Sequence, residues 1–480
     1  MNKVNKEAKS SGTGIISAIL LIGTFACVLS QMLLTTALPK LMTAFDINTS
    51  TVQWLTTGFL MVNGIMIPIS GFLGRRINTK WLFIGAMTVF LIGCIISYVA
   101  PNFATLFIGR IVQAFGTGIM MPLLQTIMFS LFPPEKRGAA LGLVGIVVGV
   151  APAIGPTLSG WIVDSFNWRD LFGMEIPIII AVIILGLIFM RPVLPTTKEK
   201  IDLVSILLST VGFGGLLYGF SSVGNDGWGS AKVISSLVIG AIVVAIFVWR
   251  ELKIKKPFLE MRVFKYTRFT LGTILSTIMM IAMFGVETIL PIYLQNVHGL
   301  SALDSGLTLL VGALMMALMS PITGKAFDKF GARRLAMVGV LLLTVGTIPF
   351  MYLNATTPVM FIVSFYTLRM IGIAMVLMPV TTYGMNALPN DLISDGTAAN
   401  NTVRQIGGSI GSAIIVSILS NVTSNAKPAH HLLTENPIAY KVQAISAVID
   451  GYHAAFLFAA VFCVLGLIVT FFLTDKKKTK

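Results

Sequence analysis

The chain has 480 residues, of which 55% are hydrophobic and only 11% charged, with 34 Lys and Arg against 19 Asp and Glu for a net charge of +15. A water-soluble domain carries about 25% charged residues, so a soluble globule is excluded. The apolar runs also lack the period-two alternation of a barrel, which leaves helices in lipid as the fold class.

Lys3, Lys6 and Lys9 precede the first apolar run, which is longer than a signal peptide and has no small-residue cleavage pattern, so it is expected to stay as a membrane helix. At about 20 residues per crossing, spans are expected near 14–38, 51–73, 80–99, 104–127, 137–160, 170–190, 201–221, 232–250, 268–292, 302–324, 334–353, 358–383, 396–421 and 452–474. Cys27, Cys94 and Cys463 all fall inside apolar runs without metal-ligand spacing.

The basic residues alternate by side. Only Lys40, Arg169, Lys232, Lys427 and Lys441 fall on the side opposite the N-terminus, and Arg110, Arg369 and Arg404 fall within spans. All other Lys and Arg lie on the N-terminal side, so the positive-inside rule places both termini in the cytoplasm of a multi-pass protein of the cell membrane. These charges orient the chain, and no basic patch of the kind that binds nucleic acid is present. The longest outer connection is expected at 422–451, a solvated loop or a lid, with His430 and His431 in it.

An internal echo points to two related halves. GFLGRRINTK at 71–80 has a counterpart in GKAFDKFGARR at 324–334, and Arg110 precedes Pro122 as Arg369 precedes Pro379. The expected organisation is a six-helix bundle over 1–200, two inserted helices over 201–255 and a second six-helix bundle over 256–480. A mid-membrane cavity between the bundles is the expected substrate site.

The fifth span reads GVAPAIGPTLSG, with Gly149, Pro152, Gly155, Pro156 and Gly160; the fourth contains GRIVQAFGTG; and the thirteenth contains NTVRQIGGSIGSA. On these residues the chain resembles the major facilitator superfamily, and specifically its fourteen-helix drug:proton antiporters of the lincomycin-resistance type. The resemblance implies an exporter, with Arg110 and Gln113 facing the core, Arg110 serving proton coupling, and Arg404 and its neighbouring glycines in helix packing. It also implies that Gly324, Asp328, Arg333 and Arg334 form a latch at the cytoplasmic helix ends. In the first copy of that loop Arg75 stands where the family usually has Asp, so Arg75 and Arg76 read as orientation charges. The acid usual in the first span is missing as well, Ser30 and Gln31 standing ahead of Ala37, Leu38 and Pro39.

A proton-coupled transporter needs an acid that changes charge in place. Only Glu175 and Glu287 lie within apolar runs. Glu287, in MFGVETILPIYLQN, is the first choice and Glu175 the second, and either could also attract a cationic substrate. Gln31, Asn63, Gln113, Glu175 and Glu287 form the expected substrate-binding set, with 25 Met and 31 Phe available as adaptable walls. No catalytic Ser/His/Asp group, metal-spaced His set or Gly-rich phosphate loop is visible, so no enzyme activity, cofactor or metal is expected. The partners are protons, membrane lipid and a small-molecule substrate handled by a monomer. The same architecture would serve an exporter of a cell's own metabolite, lipid or signalling molecule.

Overall fold

The computed structural model describes residues 3–34, 37–197, 202–428 and 435–474, apart from the side chains of residues 3–12, 49, 50, 153, 156, 225 and 302. Among the described residues, 14 helices are long and apolar enough to cross a membrane. In chain order they are α1 (Lys3–Leu33), α2 (Thr49–Arg76), α3 (Thr79–Tyr98), α4 (Phe103–Leu131), α5 (Arg137–Ser165), α6 (Glu175–Phe189) and α7 (Leu203–Asp226). Next come α8 (Ala231–Lys253), α9 (Thr267–Asn296), α10 (Ala302–Phe330), α11 (Ala332–Thr347), α12 (Val359–Met385), α13 (Ile393–Asn425) and α14 (Pro437–Phe471).

Side-chain caps fix several starts. Asn48, Asn102, Asp202, Ser301 and Asn436 each accept a backbone N–H of the first turn that follows, satisfying donors that have no partner inside the helix.

Two expected boundaries move. The first crossing ends at Leu33, and Leu38–Phe45 forms a separate short helix with Pro39 in its first turn, where a proline's missing N–H leaves no bond unmade. The expected outer loop over 422–451 is largely helical, because α13 continues to Asn425 and α14 begins at Pro437. The stretch after Asn436 is apolar enough to extend the crossing, which a 20-residue span rule cuts short. His430 and His431 lie outside the described residues, and so does the part of the lid expectation that rests on them.

Small residues set the close approaches inside each half. A Cβ on Gly93 of α3 would stand 2.8 Å from the Gly109 carbonyl of α4, and one on Gly116 of α4 would stand 2.5 Å from the Ala86 carbonyl of α3. The same device recurs between α11 and α12, where a Cβ on Gly339 would stand 2.8 Å from the Gly372 carbonyl. Close backbone contact of this kind replaces the hydrophobic driving force that lipid cannot supply.

Two helix pairs join the halves. Along α5, Gly138, Gly142, Gly145 and Gly149 present a flat face to Gly324, Ser320, Pro321 and Ala317 of α10. At the other seam α2 meets α13, with Gly71 against Ala398 and Gly74 against Ser394. Outside this seam stands α7, its Gly64 and Ile65 contacts on α2 made through Leu217 and Gly214, and its Trp228 turn donating to Ser417 Oγ of α13 at 2.7 Å. By contrast α8 packs mainly on α7 and presents most of its surface outward.

Candidate functional site

Three cavity lobes meet between the halves, with volumes of about 320, 180 and 390 Å³. The first lies among α5, α9, α10 and α12, against Pro152, Ser305 and Tyr366. The second lies among α1, α2, α5, α9 and α13, against Gln31, Asn63 and Arg404. The third opens toward α7, against Thr56, Phe220, Ser409 and Ser412. Met32 of α1 and Glu287 of α9 line all three, so the lobes form one chamber. Its size range and mainly apolar walls suit a drug-sized molecule.

Glu287 is the sole carboxylate among the described lining residues, and it makes no hydrogen bond or ion pair with any described group. Its neighbours along α9 explain the placement. Gly285 leaves room for Ile415 of α13, and Pro291 lies inside the helix above it.

Glu175 lies elsewhere. Together with four other side chains it closes a buried polar ring beside α1. Arg110 Nη1 donates to Gln113 Oε1 at 2.8 Å and to Ser30 Oγ at 3.3 Å. Ser30 Oγ donates to Glu175 Oε2 at 3.1 Å. On the other arm Gln113 Nε2 donates to Cys94 Sγ at 3.0 Å, and Cys94 Sγ donates to the same carboxylate oxygen at 3.4 Å. The Arg110 guanidinium also lies 4.1 Å from the Phe59 ring centre. Arg110 and Gln113 are fully buried and Glu175 nearly so.

The expected substrate-binding set is divided between two places. Gln31, Asn63 and Glu287 line the chamber, whereas Gln113 and Glu175 are engaged with each other's partners in the ring and line none of the three lobes. Residue type alone could not separate the two groups, because both lie in apolar sequence and differ only in which helix face they occupy. Ser30, set apart in the sequence as a missing acid, is the hydroxyl that bridges Arg110 to Glu175.

In the second half Arg369 is likewise fully buried, its Nε donating to Thr347 Oγ1 at 2.9 Å and its Nη2 to the Ala282 carbonyl of α9 at 2.9 Å. Arg404 differs from both. It was expected in packing, yet it lines the second lobe, while Gly407 and Gly411 of the same helix do the packing against Thr277 and Ile281 of α9.

The end of the bundle that carries most of the basic residues is tied across both seams. Asp328 accepts the N–H groups of Gly138 and Ala139, each at 3.0 Å, at the start of α5. Arg137 donates to Asn386 Oδ1 at 2.9 Å and to Asn390 Oδ1 at 3.3 Å. At the other seam Arg75 pairs with Asp395 and also donates to the carbonyls of Pro257 and Phe258 at 3.1 and 2.9 Å. Arg75 is therefore a cross-half contact rather than only an orientation charge. Further in, Asn401 Nδ2 donates to Gln125 Oε1 at 2.7 Å.

Among the motif residues, Gly324 meets Gly138, Gly149 faces Ala317, and Gly155 faces Met32, all at close approach. Pro152 lines the chamber. Gly160 departs from the expectation of close packing, since a Cβ there would meet nothing within 4 Å. The Pro156 side chain lies outside the described residues. Arg333 and Arg334 are exposed in the first turn of α11.

The description Major Facilitator Superfamily belongs to the family model that matches residues 20–412. The uncharacterized MFS-type transporter YcnB of Bacillus subtilis (strain 168) is 48% identical over 98% of this chain and 97% of its own. The lincomycin resistance protein LmrB of the same organism is 41% identical over 95% of each chain. In three dimensions the crystal structure of the human organic anion transporter MFSD10 (TETRAN) aligns over 95% of this chain and 99% of its own, at a TM-score of 0.66 and 12% identity, a likeness of fold alone. A chain matched by that family over most of its length, with relatives this similar and fourteen apolar helices around a central chamber, is a multi-pass membrane transporter that belongs to the major facilitator superfamily.

Proposed function

We propose that the protein exports small amphiphilic compounds, antibiotics among them, across the cytoplasmic membrane in exchange for protons. The observation that carries this reading is Glu287, an unpartnered carboxylate facing all three lobes of the chamber. A carboxylate in that position can hold a proton or leave its charge to the chamber, and the two states favour different occupants. The likeness to a lincomycin resistance protein supports a drug-like cargo.

The mechanism follows from where the contacts lie. Cross-half polar contacts concentrate at the basic end, at Asp328, Arg137 and Arg75. The chamber extends instead toward Gln295 and Ser305, at the opposite end of α9 and the start of α10. With both termini in the cytoplasm, this is the arrangement closed to the inside. Residues 1–200 and 256–480 then move as two bundles in a monomer, the inserted pair at 201–255 following the seam between α2 and α13. Proton uptake by Glu287 from the outer side accompanies substrate release, and the reverse occurs after the basic end opens. The buried ring around Glu175 and Arg110 keeps α1, α3, α4 and α6 in register during that movement, with Glu175 as a second site where a proton can reside.

The reading is tested in everted membrane vesicles, where acidifying the lumen should drive lincomycin or a neutral amphiphilic dye inward and a protonophore should abolish the accumulation. Accumulation that survives the protonophore would remove proton coupling while leaving the transporter assignment intact.

A further inference from the structure

Away from the helix ends, three arginines lie within the membrane-spanning helices, and two of them have protein acceptors. Arg110 donates to Gln113 and Ser30, and Arg369 to Thr347 and Ala282. Arg404 is 5% exposed and makes no hydrogen bond or ion pair with any described group, its Nε and Nη1 both being buried without a partner. A guanidinium in such surroundings is costly and calls for an acceptor, which here the protein does not provide.

Its position says where that acceptor comes from. Along α13, Asn401, Arg404 and Gln405 line the second lobe, and Gln405, Ser409 and Ser412 line the third. The rest of the second lobe is mainly apolar, with Met32, Val148, Met280, Met283 and Phe284 on its walls. Glu287 faces the same lobe but forms no ion pair with Arg404. One chamber thus holds an unpaired cation and an unpaired carboxylate, and no other charged residue lines it among the described ones.

We propose that Arg404 receives an acidic group of the transported molecule, so that the chamber takes amphiphiles bearing a carboxylate or phosphate, including zwitterions whose cationic end faces Glu287. The planar fork of a guanidinium matches either acid through two parallel hydrogen bonds. The methionine and phenylalanine walls then receive the apolar body, with shape tolerance supplied by the flexible thioethers. This rests on the chamber being the transport site and goes beyond the function proposed above, which leaves the charge of the cargo open. Plain lipophilic cations are the disfavoured class.

Probes with one ring system and different heads isolate the contribution of charge. Equilibrium binding of 1-naphthylacetate, 1-naphthylacetamide, 1-naphthyl phosphate and (1-naphthylmethyl)trimethylammonium is measured on the full chain in nanodiscs, with empty discs subtracted. At least one of the two acids should bind about tenfold or more tighter than the amide, the scale of one charge-assisted contact. Arg404→Gln should abolish that preference, and Arg404→Lys should retain part of it. Glu287→Gln should weaken binding of the trimethylammonium probe. Equal binding of acids and amide to the native protein overturns the proposal, as does an acid preference that survives in Arg404→Gln. If Arg404→Gln fails to fold, the native comparison and Arg404→Lys decide the matter alone. No proton gradient is imposed, so a failure of proton coupling would not alter these results.

Discussion

Arg75 at the end of α2 pairs with Asp395 in the first turn of α13, with side chains 14% and 3% exposed, and the pair clamps the linker through the Pro257 and Phe258 carbonyls and the Glu260 N–H. At the other seam the polarity is reversed, because there the loop-end residue is the carboxylate, Asp328, and its acceptor face meets the first N–H groups of α5. The charged residue at the end of the loop-side helix is thus of opposite sign in the two halves, Arg75 in one and Asp328 in the other.

The Arg75–Asp395 pair should behave as a reciprocal unit. Arg75→Ala leaves a buried carboxylate short of its partner and should weaken the closed basic end by about 1–3 kcal/mol, a factor of roughly 5–150 in its equilibrium constant. Asp395→Asn should act in the same direction, and the exchange Arg75→Asp with Asp395→Arg should restore part of the loss. Efflux rates for the single and double variants provide the cycle. Additive losses with no recovery would mean that the two residues act separately.

The packing of α5 on α10 predicts a contrast between two glycines of one helix. A Cβ on Gly142 would stand 2.6 Å from the Ser320 carbonyl and 2.8 Å from Pro321 Cα, both backbone atoms that cannot turn aside, whereas Gly160 faces open space. Gly142→Leu should therefore abolish efflux or lower the thermal stability of the purified protein, and Gly160→Leu should leave both near native. Equal tolerance at the two positions would contradict the close crossing.

Glu175→Gln should preserve the polar ring, because the amide oxygen can still accept from Ser30 and Cys94. Substrate affinity should stay within about twofold of native, since Glu175 lines none of the chamber lobes. Arg110→Ala should be far more damaging, because Gln113 and Ser30 both lose their donor inside the membrane. Binding measurements on the two variants, paired with melting curves, separate these outcomes.

Orientation can be read with one cysteine. Cys27, Cys94 and Cys463 are buried, and Glu435, just before α14, is exposed. With both termini in the cytoplasm, Glu435→Cys should react with an impermeant maleimide in intact cells. Reaction only after permeabilisation would invert the topology.

Helix number was legible in the sequence because it rests on local composition, whereas of the α5 face toward α10 only Gly149 was singled out there. Apolar runs give crossings, and glycines three or four residues apart mark one helix face. Partnerships across the chain were not legible. Nothing at Arg75 announces Asp395, which lies more than three hundred residues away, and the expected carboxylate at that loop had simply changed sides. The two intramembrane acids read alike in sequence but fall on different surfaces, Glu287 into the chamber and Glu175 into a ring that needs Ser30, Cys94, Arg110 and Gln113 from three other helices. Arg404 was hidden by its glycine neighbours, whose packing role holds for Gly407 and Gly411 but not for the arginine between them and the chamber.

The central claim, that Glu287 links proton movement to export, is tested most directly by Glu287→Gln in proteoliposomes with an imposed pH gradient. Protons entering the cell drive substrate out, so native accumulation on the outer side should grow as that side is made more acidic than the inner side. The glutamine has almost the same size and removes a charge that forms no hydrogen bond or close ion pair with a described group, so folding should be retained. It cannot exchange a proton at physiological pH, so downhill substrate flux should persist while uphill accumulation and its dependence on the gradient disappear. Undiminished uphill transport by Glu287→Gln, with native pH dependence, would contradict the account.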